Sequence, residues 1–123
     1  MPANVISIDP APPADAWLPT NVVAPGCLIS GFPNDRGVTS FTSEDGRATA
    51  GVWACDTYRE RVPHYPADEL CVVIEGSVTV TEDGHSPSTY RSGDAFVIRR
   101  GTSCTWEASG PFRKFFMEYD PEA

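Results

Sequence analysis

From Val38 onward, apolar and polar residues trade places every one or two positions, and apolar runs end after a few residues. That rhythm belongs to short strands, not helices. Nine segments read as strands: Val38–Thr42, Ala48–Cys55, Arg59–His64, Glu69–Glu75, Ser77–Thr81, Thr89–Arg91, Ala95–Arg99, Cys104–Glu107 and Phe112–Tyr119. Between them, Glu44-Asp45-Gly46, Glu82-Asp83-Gly84 and Ser92-Gly93-Asp94 put glycine where a turn calls for positive φ. The apolar run after Glu69 stops at Glu75-Gly76, and Val78 and Val80 then share one face. This predicts a buried strand, a tight turn and a half-buried strand. The same alternation puts Glu69 on one face with Cys71 and Val73, and Cys104 on one face with Trp106.

The first 37 residues follow another rule. Asp9 to Trp17 carries prolines at 10, 12 and 13, which exclude helix interiors and sheet ladders. The stretch predicts an extended arm anchored by Trp17, with at most one helical turn near Ala14–Leu18 and a second turn-rich piece at Gly31–Gly37. The division is therefore an arm over 1–37 and a barrel over 38–123. The arm either lies on its own domain or reaches a partner, and the residues leave both open. At the other end, Phe112, Phe115, Phe116, Met117 and Tyr119 exceed what one strand face can bury. Both faces need cover, from the arm or from a second copy, and a homodimer is expected.

Composition narrows the function. The 123 residues fit one domain. The net charge of −8 repels phosphate backbones and anionic lipid, so neither a nucleic acid nor a membrane is expected as partner. No apolar run reaches the roughly 18 residues of a membrane span, and the N-terminus has no secretory pattern. Cys27, Cys55, Cys71 and Cys104 lack Cys-x-x-Cys spacing, so free thiols in a reducing cytoplasm are expected.

Two segments carry a resemblance. Glu69 stands seven residues before Gly76, while Gly93-Asp94 is followed by Gly101 eight residues after Gly93. In order and close together, they resemble the paired motifs of the cupin superfamily. The resemblance implies an all-β, double-stranded β-helix barrel, jelly-roll-like, with the N-terminal arm outside it. The pieces Gly51-Val52-Trp53, Tyr65 to Glu69, Ile74-Glu75-Gly76, Gly93 to Ile98, Cys104 to Glu107 and Arg113-Lys114 are similar to small single-domain cupins grouped with the cupin domain of ureidoglycine aminohydrolase. Many members of that group are uncharacterised.

Metal-binding cupins use two histidines and a glutamate from the first motif and a histidine from the second. Those positions fall here on Val62, His64, Glu69 and Cys104. Two of the four donors are present and a third is a thiol, so no metal cofactor is favoured. The alternative is a divalent transition metal held by His64, Glu69 and Cys104 in a hydrolase or oxygenase.

Without a metal, the cupin register points Glu69 into the barrel. A carboxylate among apolar walls pairs with a cation or has its pKa raised, as in a general acid or base. Lys114 or Arg113 is the cation that the resemblance offers. Tyr65, Glu69, Cys104, Trp106, Arg113 and Lys114 are the expected pocket, with Glu69 the acid/base residue if there is chemistry. Trp53 either lines the mouth or fills the core. The expected ligand is a small polar metabolite, with nitrogen suggested by the ureidoglycine resemblance. A non-catalytic sensor or assembly module is the third reading.

Overall fold

The computed structural model describes residues 3–123, whose regular structure is all strand except for one 3₁₀ turn at Ala14–Ala16. The strands are β1 (Leu18–Pro19), β2 (Leu28–Gly31), β3 (Arg36–Thr42), β4 (Ala48–Cys55), β5 (Tyr58–Val62), β6 (Asp68–Glu82), β7 (Ser88–Arg91), β8 (Ala95–Ile98) and β9 (Cys104–Tyr119). Every pairing is antiparallel. No helix among the described residues is long and apolar enough to cross a membrane.

The long β9 is the spine. Its second half lies between β4 and the first half of β6, while its first half lies between β5 and the second half of β6. β8 and β7 extend the two halves of β6. The sheet therefore curls over itself and encloses one core, the cupin barrel that the motifs imply.

Here one expectation is corrected. Glu75-Gly76 is not a hairpin turn, because β6 runs through it and keeps pairing with β9 on both sides. What breaks at Gly76 is the register, and the strand bends from one half of the sheet into the other. Gly76 has φ +75°, and a Cβ there would lie 2.7 Å from the Ser109 carbonyl oxygen. Only glycine combines that backbone with that approach. Cys104–Glu107 and Phe112–Tyr119 fuse in the same way into one bent strand, β9.

The N-terminal segment lies on its own barrel. β1 pairs with β3 at one end of the strand order, and β2 pairs with β5 at the other. Neither pairing was legible in the proline-rich pattern. Trp17 is half-buried, with the Arg36 guanidinium 6.0 Å from its ring centroid.

Inside, Trp53, Trp106 and Phe112 meet edge to face at 6.1–6.3 Å between centroids. Such contacts add to the area that the rings bury. Cys55, Tyr58, Val73, Val78, Ile98 and Ala108 complete the cluster. Outside, Leu70 stands in register with Val97 on one side and Met117 on the other, and all three are exposed.

Candidate functional site

Two barrel strands deliver the centre of the site by simple alternation. Glu69, Cys71 and Val73 point inward from β6 and are at most 2% exposed. On β9, Lys114, Phe116 and Glu118 share the inner face, and Glu118 stands opposite Glu69 in the pairing. Lys114 Nζ lies 2.7 Å from Glu69 Oε2 and 3.5 Å from Cys71 Sγ. The Tyr65 hydroxyl donates to the other Glu69 oxygen. The ammonium also lies 5.0 Å from the Trp53 ring centroid and 4.8 Å from that of Trp106. A desolvated cation over two indoles is held by ring electrostatics as well as by the carboxylate.

The electrostatics follow from this closeness. Burial alone would push the Lys114 pKa down; the Glu69 charge and its hydrogen bond, with Cys71, outweigh it and the net is upward. Burial pushes the Cys71 thiol up to about 12, against the pull of Lys114. The Tyr65 phenol is held well above its usual range by burial and then by Glu69. Lys114 therefore stays charged, while Cys71 and Tyr65 stay protonated.

Beside this cluster lies a cavity of about 280 Å³. Trp53, Trp106, Val62 and Phe116 give it apolar walls, and Thr49, Tyr58, Glu60, Tyr65, Glu69, Lys114 and Glu118 give it polar ones. The exposed Thr20, Val22, Thr39 and Pro66 form its rim. Part of that rim comes from the N-terminal segment, which Asp35 pins down: its carboxylate accepts from the Thr20 hydroxyl at 2.6 Å and the Val22 amide at 2.8 Å. The Trp53 indole N–H in turn donates to Thr20 Oγ at 3.0 Å. An aromatic-walled cavity with a few fixed polar groups is the usual form of a small-molecule site.

Of the residues expected in the pocket, Tyr65, Glu69, Trp106 and Lys114 do line this cavity. Arg113 and Cys104 do not. Arg113 points the other way along β9 and pairs with Glu75 at 3.1 Å on the outer face. Cys104 is fully buried opposite Val62, and burial pushes its thiol up to about 11. That is a packing cysteine rather than a nucleophile, since nucleophiles need a lowered pKa. Trp53 does both things asked of it, filling the core and walling the cavity.

The sequence reading did not pick out Glu60, Glu118, Tyr58 and Thr20. Glu118 was in reach of it, since Lys114, Phe116 and Glu118 alternate with period two. Glu60 accepts from the Tyr58 hydroxyl at 2.7 Å, and burial raises its carboxyl pKa in spite of that bond. Glu118 is raised first by burial and then by the Glu69 charge.

The donor set does not fit a metal at Glu69. Both its oxygens are engaged, one by an ammonium and one by a phenol. Two of the four cupin ligand positions, Val62 and Cys104, face each other as an apolar pair across β5 and β9. His64 is exposed and sits against Gly101. Among the described residues, no three His, Cys, Asp or Glu side chains form a group able to hold a metal ion.

A curled antiparallel barrel with the first cupin motif on the bent β6 and the second in the turns flanking β8 makes this a cupin. More narrowly, the chain belongs to the EutQ-like cupin domain family, which it matches over residues 42–116. Among solved structures it is similar to a DUF861-family protein of unknown function from Pseudomonas syringae pv. tomato. The two are 27% identical, with a TM-score of 0.81, over 90% of this chain and 46% of that one. This chain thus spans about half the length of that protein. It shares a fold with the ethanolamine utilization protein Q of Salmonella typhimurium, at 17% identity and TM-score 0.65, over 94% and 95% of the two chains. The EutQ protein of Clostridium difficile is similar at 22% identity and TM-score 0.57, over 71% and 63%. No curated protein matches the chain.

Proposed function

We propose that this cupin binds a small polar metabolite in the cavity beside Glu69, with no metal in the site. The carrying observation is the closed set Tyr65–Glu69–Lys114, laid against Trp53 and Trp106 at the wall of an otherwise open cavity. An ammonium stands there in place of the metal ion of other cupins, fixing the glutamate inside the barrel. With each oxygen engaged, Glu69 acts as a brace for Lys114 and the cavity wall, in preference to the acid/base role expected of it. The resemblance to ureidoglycine aminohydrolase cupins supports a nitrogen-containing ligand.

The indole N–H resonances of Trp53 and Trp106 report on the cavity directly, and Trp17, which does not line it, serves as the internal control. A panel of small amides, ureas, amines and carboxylic acids is titrated into ¹⁵N-labelled protein. At least one compound is expected to shift the first two resonances saturably and leave Trp17 in place. A panel in which no compound moves Trp53 or Trp106 contradicts the reading.

A second feature supports the expected homodimer. Leu70, Val97 and Met117 form an exposed apolar row across three paired strands, with Tyr119 beside it on the same face of β9. Adjacent exposed apolar side chains of this kind mark contact surfaces. Phe115 borders the row half-buried, whereas Phe116 turns inward to the cavity. Sedimentation of Leu70→Asp is expected to give monomer where the unaltered protein gives dimer; a monomeric unaltered protein contradicts this.

A further inference from the structure

The cavity has a charge imbalance that narrows the ligand further, on the reading that it holds a small molecule. Three carboxylates line it, those of Glu60, Glu69 and Glu118, and among the described lining residues Lys114 is the single cation. Lys114 is already matched, since its ammonium and the Tyr65 phenol together satisfy both oxygens of Glu69. Glu60 has one oxygen held by Tyr58 and no described donor on the other, and no described side chain pairs with Glu118. Two carboxylates thus face the cavity with no paired cation of their own, since Lys114 acts on both only from its place against Glu69.

Their surroundings show the same deficit. Burial raises the pKa of both, and for Glu118 the neighbouring Glu69 raises it further. A bound cation would reverse that cause. The walls agree, since Trp53 and Trp106 already hold one ammonium 5.0 and 4.8 Å from their centroids, and an indole face favours positive charge. An anionic ligand would meet two carboxylates, and it would find the one ammonium neutralised.

We propose that the cavity receives a small organic cation, bearing an ammonium, amidinium or guanidinium group, with Glu118 and Glu60 as its acceptors. The nitrogen expected in the ligand is thereby a basic one. A nitrogen-containing acid that offers its carboxylate to Lys114 is disfavoured, because Glu69 already neutralises that ammonium and Glu60 and Glu118 add like charge nearby.

Acetamidinium, acetamide and acetate are planar, nearly the same size and differ by one charge at each step, so they isolate the charge from the shape. Each is titrated into ¹⁵N-labelled protein at neutral pH, reading the Trp53 and Trp106 indole resonances against Trp17. Acetamidinium is expected to bind saturably and at least about tenfold more tightly than acetamide, with acetate weaker still, since a charge-assisted hydrogen bond is worth that factor or more. Glu118→Gln is expected to weaken acetamidinium about tenfold and leave acetamide unchanged. Glu60→Gln, whose amide oxygen can still accept from Tyr58, gives a second and independent reading. Acetamide or acetate binding as tightly as acetamidinium overturns the charge assignment, while leaving the small-molecule reading intact. Acetamidinium shifts that neither variant weakens overturn it too, as does the absence of any saturable acetamidinium shift. Failure of the whole metabolite panel, by contrast, removes the small-molecule site itself.

Discussion

Two acid–base pairs in this molecule have similar geometry and opposite significance. Lys114 and Glu69 meet at 2.7 Å with side chains 6% and 2% exposed. Arg61 and Asp83 meet through two bonds of 2.5 Å each with side chains 40% and 52% exposed. By contact geometry alone the outer pair is the better one, being bidentate. Water decides otherwise. Outside, each charge keeps most of its hydration when its partner leaves, so little depends on the pair. Inside, Glu69 has no second cation among the described lining residues, and losing Lys114 strands its charge. The inner pair is thus a commitment of the fold, and the site is built around it.

The sharpest way to break the contrast is Lys114→Met. It leaves the Glu69 carboxylate buried without its cation and is expected to cost about 3–5 kcal/mol in chemical denaturation. Adding Glu69→Gln to that variant removes the stranded charge and should recover much of the loss. Failure to recover would mean that packing around Lys114, rather than its charge, was what mattered. Tyr65→Phe comes next. It deletes the phenol that donates to Glu69, and a loss of about 1.5–3 kcal/mol is expected from a bond to a charged acceptor.

Glu118→Gln changes sign. Burial and Glu69 hold the Glu118 carboxyl above its ordinary range, so over the pH interval above that range the folded chain keeps a proton that the unfolded chain has released. The stability this contributes is complete at low pH and is lost as pH rises through the raised value. The variant is therefore expected to be slightly more stable than the unaltered protein at pH 7, the gain being damped by partial exposure. Thermal melts from pH 4 to pH 8 should show the variant with the flatter profile. Smallest of all is Arg61→Ala, which should lower the denaturation midpoint only slightly, and less at high salt than at low.

The same contrast explains what was legible in the sequence. Period-two alternation groups Glu69 with Cys71 and Cys104 with Trp106 without any structure, and the cupin resemblance turns those faces inward. The motif glycines give the barrel, since Gly76, Gly93 and Gly101 all have positive φ. Gly76 was nonetheless misread as a reversal. A glycine of positive φ serves a hairpin and a bend equally well, and the choice depends on β9 crossing behind it. Choosing between Arg113 and Lys114 required the register of β9 against β6, which places Lys114 inside and leaves Arg113 with Glu75. Glu60 belongs to a separate strand, and its meeting with Glu69 and Glu118 in one cavity is tertiary. So is the role of Thr20, which depends on Asp35 folding the N-terminal segment over the rim.

The account turns on an ammonium occupying the place beside Glu69 where other cupins hold a metal. Metal content answers this most directly, measured on the protein after exposure to manganese, iron, nickel and zinc followed by dialysis. The account predicts no stoichiometric metal in the unaltered protein and the same result for Glu69→Gln. One metal ion per chain, lost in Glu69→Gln, would contradict it.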